Sequence, residues 1–146
     1  MTKNAFADAT LPEQYHFTDK ENIQPAEIIT LRKSVNWKGD APKRWQSCIN
    51  QSLSIIGVRD SDSNLVGMAC LAGNVRHGVL CDLVVNPAHQ YKGVGAAIMS
   101  KVLKTADHIG VSYLYAELAD TNPFRDLMIQ SGFKVTGDSL FRESHS

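Results

Sequence analysis

The apolar positions of this chain follow two periods, and the switches between them mark its elements. Residues 1–14 are mixed in character and read as loose chain. Tyr15-His16-Phe17 suits a short first strand. From Pro25 to about Val35, Ile28, Leu31 and Val35 recur at helical spacing behind a proline suited to a first turn, which predicts a helix. After a loop at Ser34–Gly39, Asp40 is placed to cap a second helix, with Pro42 in its first turn and Trp45 and Ile49 on one face. Leu53–Arg59 and Leu65–Leu71 flank the turn cluster DSDSN and predict an antiparallel hairpin. Val79–Val85 is an almost continuous apolar run broken only by Asp82, the pattern of a central strand buried on both faces. Ala96–Asp107 is the clearest helix: Ile98, Val102 and Ile109 share a stripe, and Gly110 is placed to end it. Val111–Leu118 reads as a strand and Asn122–Ser131 as a short helix stopped by Gly132. Phe133–Val135 and Leu140–Arg142 suit a closing hairpin.

The resulting order is β-α-α-β-β-β-α-β-α-β-β. Residues 79–118 form a strand–helix–strand unit, and a right-handed crossover makes its two strands parallel neighbours. The expected fold is one α/β (α+β) domain over residues 1–146. Its sheet is mixed and mostly antiparallel, with helices on both faces and a central parallel β-α-β unit.

Composition narrows the function. With 146 residues and 43% hydrophobic content, the chain is long enough for one sizeable core. Fifteen basic side chains balance fifteen acidic ones, which argues against a nucleic-acid partner. No apolar run reaches membrane-spanning length, and the N-terminal stretch has no apolar signal region. Cys48, Cys70 and Cys81 are odd in number and lack zinc-ligand spacing, so no metal site is expected. They read as small apolar side chains of a reduced, cytoplasmic protein.

The stretch VVNPAHQYKGVGAA, residues 84–97, carries the chemistry. It places two glycines where a helix begins, although glycine weakens a helix interior by about 0.5–1 kcal/mol relative to alanine. A helix N-terminus presents unpaired N–H groups and partial positive charge, which together form an anion site. Glycines let a bulky anion approach the backbone, and Lys92 adds formal charge. The stretch predicts a phosphate-binding turn over Tyr91–Ala96. Its lysine precedes the glycine, so it is not a Walker A loop. It lacks the third glycine of the dinucleotide fingerprint, where Ile98 stands instead. Glu117, about 20 residues on, is the one feature that keeps dinucleotide binding open.

Gln90-x-x-Gly93-x-Gly95 matches the Q/R-x-x-G-x-G/A signature of the GNAT family of N-acetyltransferases, and DLVVNPAHQYKGVGAAIMSKVL resembles that family's central strand, pyrophosphate loop and following helix. Asn122, Ser131-Gly132-Phe133 and the element order extend the resemblance over nearly the whole chain. It implies acetyl-CoA as cofactor. The pyrophosphate would rest on the backbone of Tyr91, Lys92, Gly93, Val94, Gly95 and Ala96, with Gln90 shaping the turn. The pantetheine arm would pair with Leu83, Val84 and Val85 at a bulge that splays the parallel strands. The N–H of about Leu83 would polarise the thioester carbonyl. Asn122 would contact the arm and Phe124 would line the same wall. Where many members carry an acid tyrosine, four residues before the glycine of the GF pair, this chain has Met128. Tyr91 also departs from the family, in which glycine is common there.

The implied reaction is acetyl transfer to an amine by direct attack in a ternary complex. A protonated alkylamine must lose a proton, at a cost of about 4–5 kcal/mol at pH 7, so a general base is expected. Asp82 and Glu117 are the candidates, with His77 behind them. Each also has a plain alternative: a backbone-bonded structural carboxylate for Asp82, a solvated strand-end one for Glu117, and solvated loop positions for His77 and His89. By alternation Tyr113, Tyr115 and Glu117 share one strand face. Trp37 and Tyr115 are the expected acceptor contacts, unless Trp37 caps the core. The acceptor is a small-molecule or protein amine. Family members pair through a sheet edge or the C-terminal strands, which leaves a homodimer open. A second reading, favoured by Met128, is an acyl-CoA sensor of the same fold without turnover.

Overall fold

Local sequence sets where the chain turns. The computed structural model describes residues 9–116, 124–136 and 139–143. Its strands are β1 (His16–Asp19), β2 (Ser54–Arg59), β3 (Leu65–Gly73), β4 (His77–Val85), β5 (Tyr113–Ala116), β6 (Lys134–Thr136) and β7 (Ser139–Glu143). Its helices are α1 (Pro25–Lys33), α2 (Pro42–Gln51), α3 (Val94–Ile109) and α4 (Arg125–Gln130). The element order is the expected one. Residues 117–123 lie outside the described residues, and with them Glu117, Asn122 and the expected end of the fifth strand.

The described strands form one sheet in the order β1-β2-β3-β4-β5-β7-β6. Only β4 and β5 run parallel, because α3 carries the chain back across the sheet between them. The C-terminal hairpin joins through its second strand: β7 pairs with β5 and leaves β6 outermost. Each face has its own core. Ile98, Met99, Val102 and Leu103 of α3 and Met128 of α4 pack on Val58, Leu71, Leu80 and Leu114. On the other face Ile28 and Leu31 of α1 and Trp45 and Ile49 of α2 pack on Ile55, Met68, Cys70 and Val84.

The alternation of β4 breaks once, at Asp82. Cys70 of β3 faces Cys81 and Met68 faces Val84, so Ala69 alone opposes Asp82 and Leu83. Asp82 has φ +57°, in the left-handed region. One extra residue resets a period-two pattern. Leu80 and Leu83 therefore both face the α3 core, while Cys81 and Val84 both face the other. Cover on both faces is why the strand reads as an apolar run broken only at the bulged Asp82.

Helix starts differ in chemistry. In α1 the Glu27 carboxylate accepts from the Gln24 N–H at 3.0 Å, half of a capping box. The same carboxylate takes the Arg59 guanidinium of β2 in a two-point pair at 2.5 and 3.0 Å. That hydrogen bond holds the Glu27 carboxyl below its ordinary value, against the opposing effect of burial. The expected Asp40 cap of α2 does not form. Ala41 is the cap residue without a side-chain bond, and Asp40 takes φ +62°. The buried indole N–H of Trp45 donates to the Gly39 carbonyl at 2.6 Å, which pins the preceding loop and turns Asp40 outward.

Candidate active site

The turn that joins β4 to α3 is built from its own side chains. The Asn86 carboxamide accepts from the Ala88 N–H at 2.9 Å, and the Gln90 side-chain amide donates to the Val85 carbonyl at 3.0 Å. Gln90 thus ties the loop back to the end of β4. Tyr91 (φ +63°) and Gly93 (φ +85°) then turn the chain through two left-handed residues. The helix starts at Val94, two residues before the expected start, with Gly93 as a cap that has no side chain. The first intrahelical bond runs from the Ala97 N–H to the Gly93 carbonyl at 3.1 Å. The N–H groups of Val94, Gly95 and Ala96 precede that ladder and have no acceptor within the helix. A helix end left this way is an anion site.

The two glycines serve different ends. A Cβ on Gly93 would meet nothing within 4 Å, so glycine is needed there for its backbone conformation. A Cβ on Gly95 would stand 2.8 Å from the Cζ of Phe124 and 3.7 Å from a Val85 methyl. Gly95 is therefore where the ring of Phe124, from the segment entering α4, comes down onto the first turn of α3.

Between them lies a cleft of about 470 Å³. Leu83 and Val85 form one wall, Gln90, Tyr91, Gly93, Gly95 and Ala96 the loop end, and Phe124 the opposite wall. Of the remaining expected cofactor residues, Asn122 lies outside the described residues, and Val84, Lys92 and Val94 are not among the residues lining the cleft. Val84 turns its side chain to the α1–α2 core and Val94 is buried under α3. Lys92 is exposed. The cleft also contains His89, which sequence reasoning left as a solvated loop residue. Its Nδ1 is 2.7 Å from the Tyr15 hydroxyl, and its Nε2 is 3.9 Å from Asp60. Among described residues the parallel pairing of β4 with β5 ends at Leu80–Ala116, while β4 continues to Val85.

A second pocket, of about 670 Å³, opens on the other face of the sheet. Asp40, Arg44, Trp45, Cys48 and Ser52 line its helical side, and Ala72, Gly73 and Asp82 its floor. Asp82 is not a free carboxylate there: Arg32 of α1 donates to its Oδ1 at 2.6 Å. The Arg32 guanidinium lies between two indoles, 5.1 Å from the Trp37 ring and 5.2 Å from the Trp45 ring, and its Nε donates to the Lys38 carbonyl. Trp37, 41% exposed, thus covers an arginine rather than the core. Arg32 had no signal in the sequence, because its partner lies 50 residues away.

The other expected acceptor contacts gather at the start of β4. Tyr113 and Tyr115 do share a face, and His77 stacks on both, with ring centroids 5.2 and 5.9 Å apart. The Tyr115 hydroxyl is 3.2 Å from His77 Nδ1. Met128, at the position of the family's acid, is fully buried in the α3 core. Among the described residues no group of His, Cys, Asp and Glu side chains suits a metal ion, and no helix is long and apolar enough to cross a membrane.

A bulged central strand, an uncapped glycine-started helix and a cleft lined by both are the features of an acetyltransferase fold. The family model for the acetyltransferase (GNAT) family matches residues 19–133, and the chain belongs to that family. A curated relative, an uncharacterised ycf52-like N-acetyltransferase of Prochlorococcus marinus, is 27% identical over 99 residues. That match covers 65% of this chain and only 55% of the relative. Among solved structures, N-acetylglutamate synthase from Neisseria gonorrhoeae, complexed with coenzyme A and L-arginine, superposes with a TM-score of 0.70 at 18% identity, over 92% of this chain and 34% of that one. The ribosomal-protein-S18-alanine N-acetyltransferase of Escherichia coli superposes with a TM-score of 0.70 at 15% identity, over 87% and 90%. Identities this low carry the fold and not the substrate.

Proposed function

We propose that this chain moves an acetyl group from acetyl-CoA to an amine by direct attack in a ternary complex. One observation carries the reading: two consecutive residues of the β4 bulge line two different pockets. Leu83 faces the cleft at the α3 N-terminus, and Asp82 faces the pocket under α2. A donor in the first and an acceptor in the second would meet at the bulge, with no covalent enzyme intermediate required.

The residues fit the cofactor by shape and charge. The free N–H groups of Val94, Gly95 and Ala96 suit a pyrophosphate. The end of β4, beyond its described pairing with β5, suits the amides of the pantetheine arm, and the apolar walls of Leu83, Val85 and Phe124 suit its methylenes. Bound there, acetyl-CoA supplies an activated acyl carbonyl. The backbone N–H near Leu83 is the donor placed to polarise it. On the acceptor side Asp82 attracts a cationic amine, and Arg32 competes for one of its oxygens. Deprotonation of the amine, worth about 4–5 kcal/mol at pH 7, falls to a base or a water that Asp82 or Glu117 orients. Trp37, stacked on the arginine that holds Asp82, and Tyr115, beside His77, are the acceptor contacts this reading assigns. The acceptor is a small-molecule or protein amine, and a homodimer remains part of the proposal.

The sensor reading keeps two supports: Asp82 is engaged by Arg32, and the position of the family's acid is a core methionine. Amine-dependent release of CoA, followed by chromatography across amino acids, polyamines and peptide N-termini, decides between the two. Release with at least one acceptor supports the enzyme. Binding of acetyl-CoA without release across the panel supports the sensor.

A further inference from the structure

Sequence spacing gives no reason to connect Cys48, Cys70 and Cys81, but the fold brings them together beneath the acceptor-side pocket. Cys70 of β3 and Cys81 of β4 are direct antiparallel partners. Such partners have Cα atoms about 4.5–5.5 Å apart, inside the about 4.4–6.8 Å that a disulfide spans. Both side chains lie on the α1–α2 face. Ser52 Oγ is 3.3 Å from Cys70 Sγ and 3.7 Å from Cys48 Sγ. Ser52 and Cys48 are themselves walls of the pocket, so Cys70 lies one side chain behind a cavity open to small solutes.

We propose that Cys70 and Cys81 are a peroxide-reactive dithiol pair just behind the wall of this pocket, which closes reversibly to a disulfide. The two neighbouring thiols differ in acidity, and that difference sets the roles. The Cys81 side chain beside it holds the Cys70 thiol down to about 7, against the opposing effect of burial. The Cys70 side chain, together with burial, pushes the Cys81 thiol up. Cys70 is the attacking thiolate and Cys81 the resolving thiol. The Cys70 sulfur attacks one oxygen of hydrogen peroxide. An S–O bond forms, the O–O bond breaks and hydroxide leaves, so Cys70 becomes a sulfenic acid. The Cys81 sulfur then attacks the Cys70 sulfur. The S–S bond forms, the S–O bond breaks, and the departing hydroxide takes the Cys81 proton as water. Two thiols are oxidised by two electrons and one peroxide is reduced to two waters. A small dithiol reverses the change. Cys48 sits on α2, outside the ladder that holds the other two in register, and stays reduced. The proposal does not depend on the acetyl-transfer reading.

Trypsin tests this on the wild-type chain, because cleavage after Arg44, Arg59, Arg76 and Lys92 places each cysteine on its own peptide. After peroxide treatment, quenching and denaturation, free thiols should fall from the three of the sequence to one. Peptide 60–76 should be linked to peptide 77–92, and dithiothreitol should restore all the thiols. Cys48→Ser should leave that linkage intact. Cys81→Ser should abolish it and leave a sulfenic acid on Cys70 that dimedone traps. A linkage to peptide 45–59, a disulfide between chains, or thiols no more reactive than those of the unfolded protein would each overturn the proposal.

Discussion

Replacing Gly95 with alanine tests the cleft, because two effects of opposite sign meet there. Glycine in a helix costs about 0.5–1 kcal/mol relative to alanine, so an open helical position would gain stability. Gly95 is not open. The new Cβ would stand 2.8 Å from Phe124 Cζ and 3.0 Å from Cε2. Carbon atoms rest at about 3.5–4.0 Å, so the ring must move by roughly 0.7 Å or more. Overpacking of this kind costs about 1–3 kcal/mol, which exceeds the helical gain. The ring can yield only away from α3, into the cleft that it walls. Gly95→Ala should therefore weaken acetyl-CoA binding about tenfold or more, a loss of about 1.4 kcal/mol. Phe124→Leu in the same chain should recover part of that loss. Calorimetric titration of both single variants and the double closes a mutant cycle, and a coupling of about 1 kcal/mol is expected for groups in contact. Strictly additive losses, or a Gly95→Ala variant that binds normally and melts higher, would refute the argument that Phe124 packs on Gly95.

Tyr91 has a fully exposed side chain and a left-handed backbone, a conformation that costs a non-glycine residue about 1–2 kcal/mol. Tyr91→Gly should not lower the melting temperature and should raise it if the relief exceeds the added unfolded-state entropy of about 0.4–1 kcal/mol. A clear fall would show that the tyrosine holds the loop. Arg32→Lys keeps the charge on Asp82 but loses the planar contact with Trp37 and Trp45, so the variant should melt lower than wild type in thermal scans. An unchanged melting point would mean that the stack contributes nothing. The Glu27 carboxyl titrates below its ordinary value of 4.5 in the folded chain. Its pair with Arg59 therefore contributes stability that is fully present above that value and lost as pH falls through the lowered one. Urea unfolding from pH 6 to pH 3 should show the loss, and Glu27→Gln should flatten that part of the profile. Parallel profiles would sink the assignment.

The elements were legible because they rest on local rules: the α3 stripe, the Gly110 stop at φ +88°, and the turn between β2 and β3. The turn before α3 was legible because glycines where a helix follows a strand mark a start without a side-chain cap. The bulge left a trace at Asp82, the one break in the apolar run of β4, although which residue it inserts shows only in the pairing with β3. What the sequence concealed are pairings between distant segments. Arg32 reaches Asp82 across 50 positions, and Tyr15 reaches His89 across 74. Nothing local marks either pair. The same blindness hid that Trp37 stacks on Arg32 and that Cys70 and Cys81 are cross-strand partners. Asp40 failed as a cap for a similar reason, since a buried Trp45 indole took control of the loop before α2.

Titration of acetyl-CoA into the wild-type chain and into Gly93→Asp, by calorimetry with NADH and ATP as controls, tests the central claim most directly. The substitution sets a carboxylate beside the unpaired N–H groups of α3, where a new Cβ meets nothing within 4 Å. The account predicts one-to-one binding of acetyl-CoA by wild type, no binding of NADH, and loss of acetyl-CoA binding in a variant that still folds. Equal binding by both chains, or none by wild type, would contradict it.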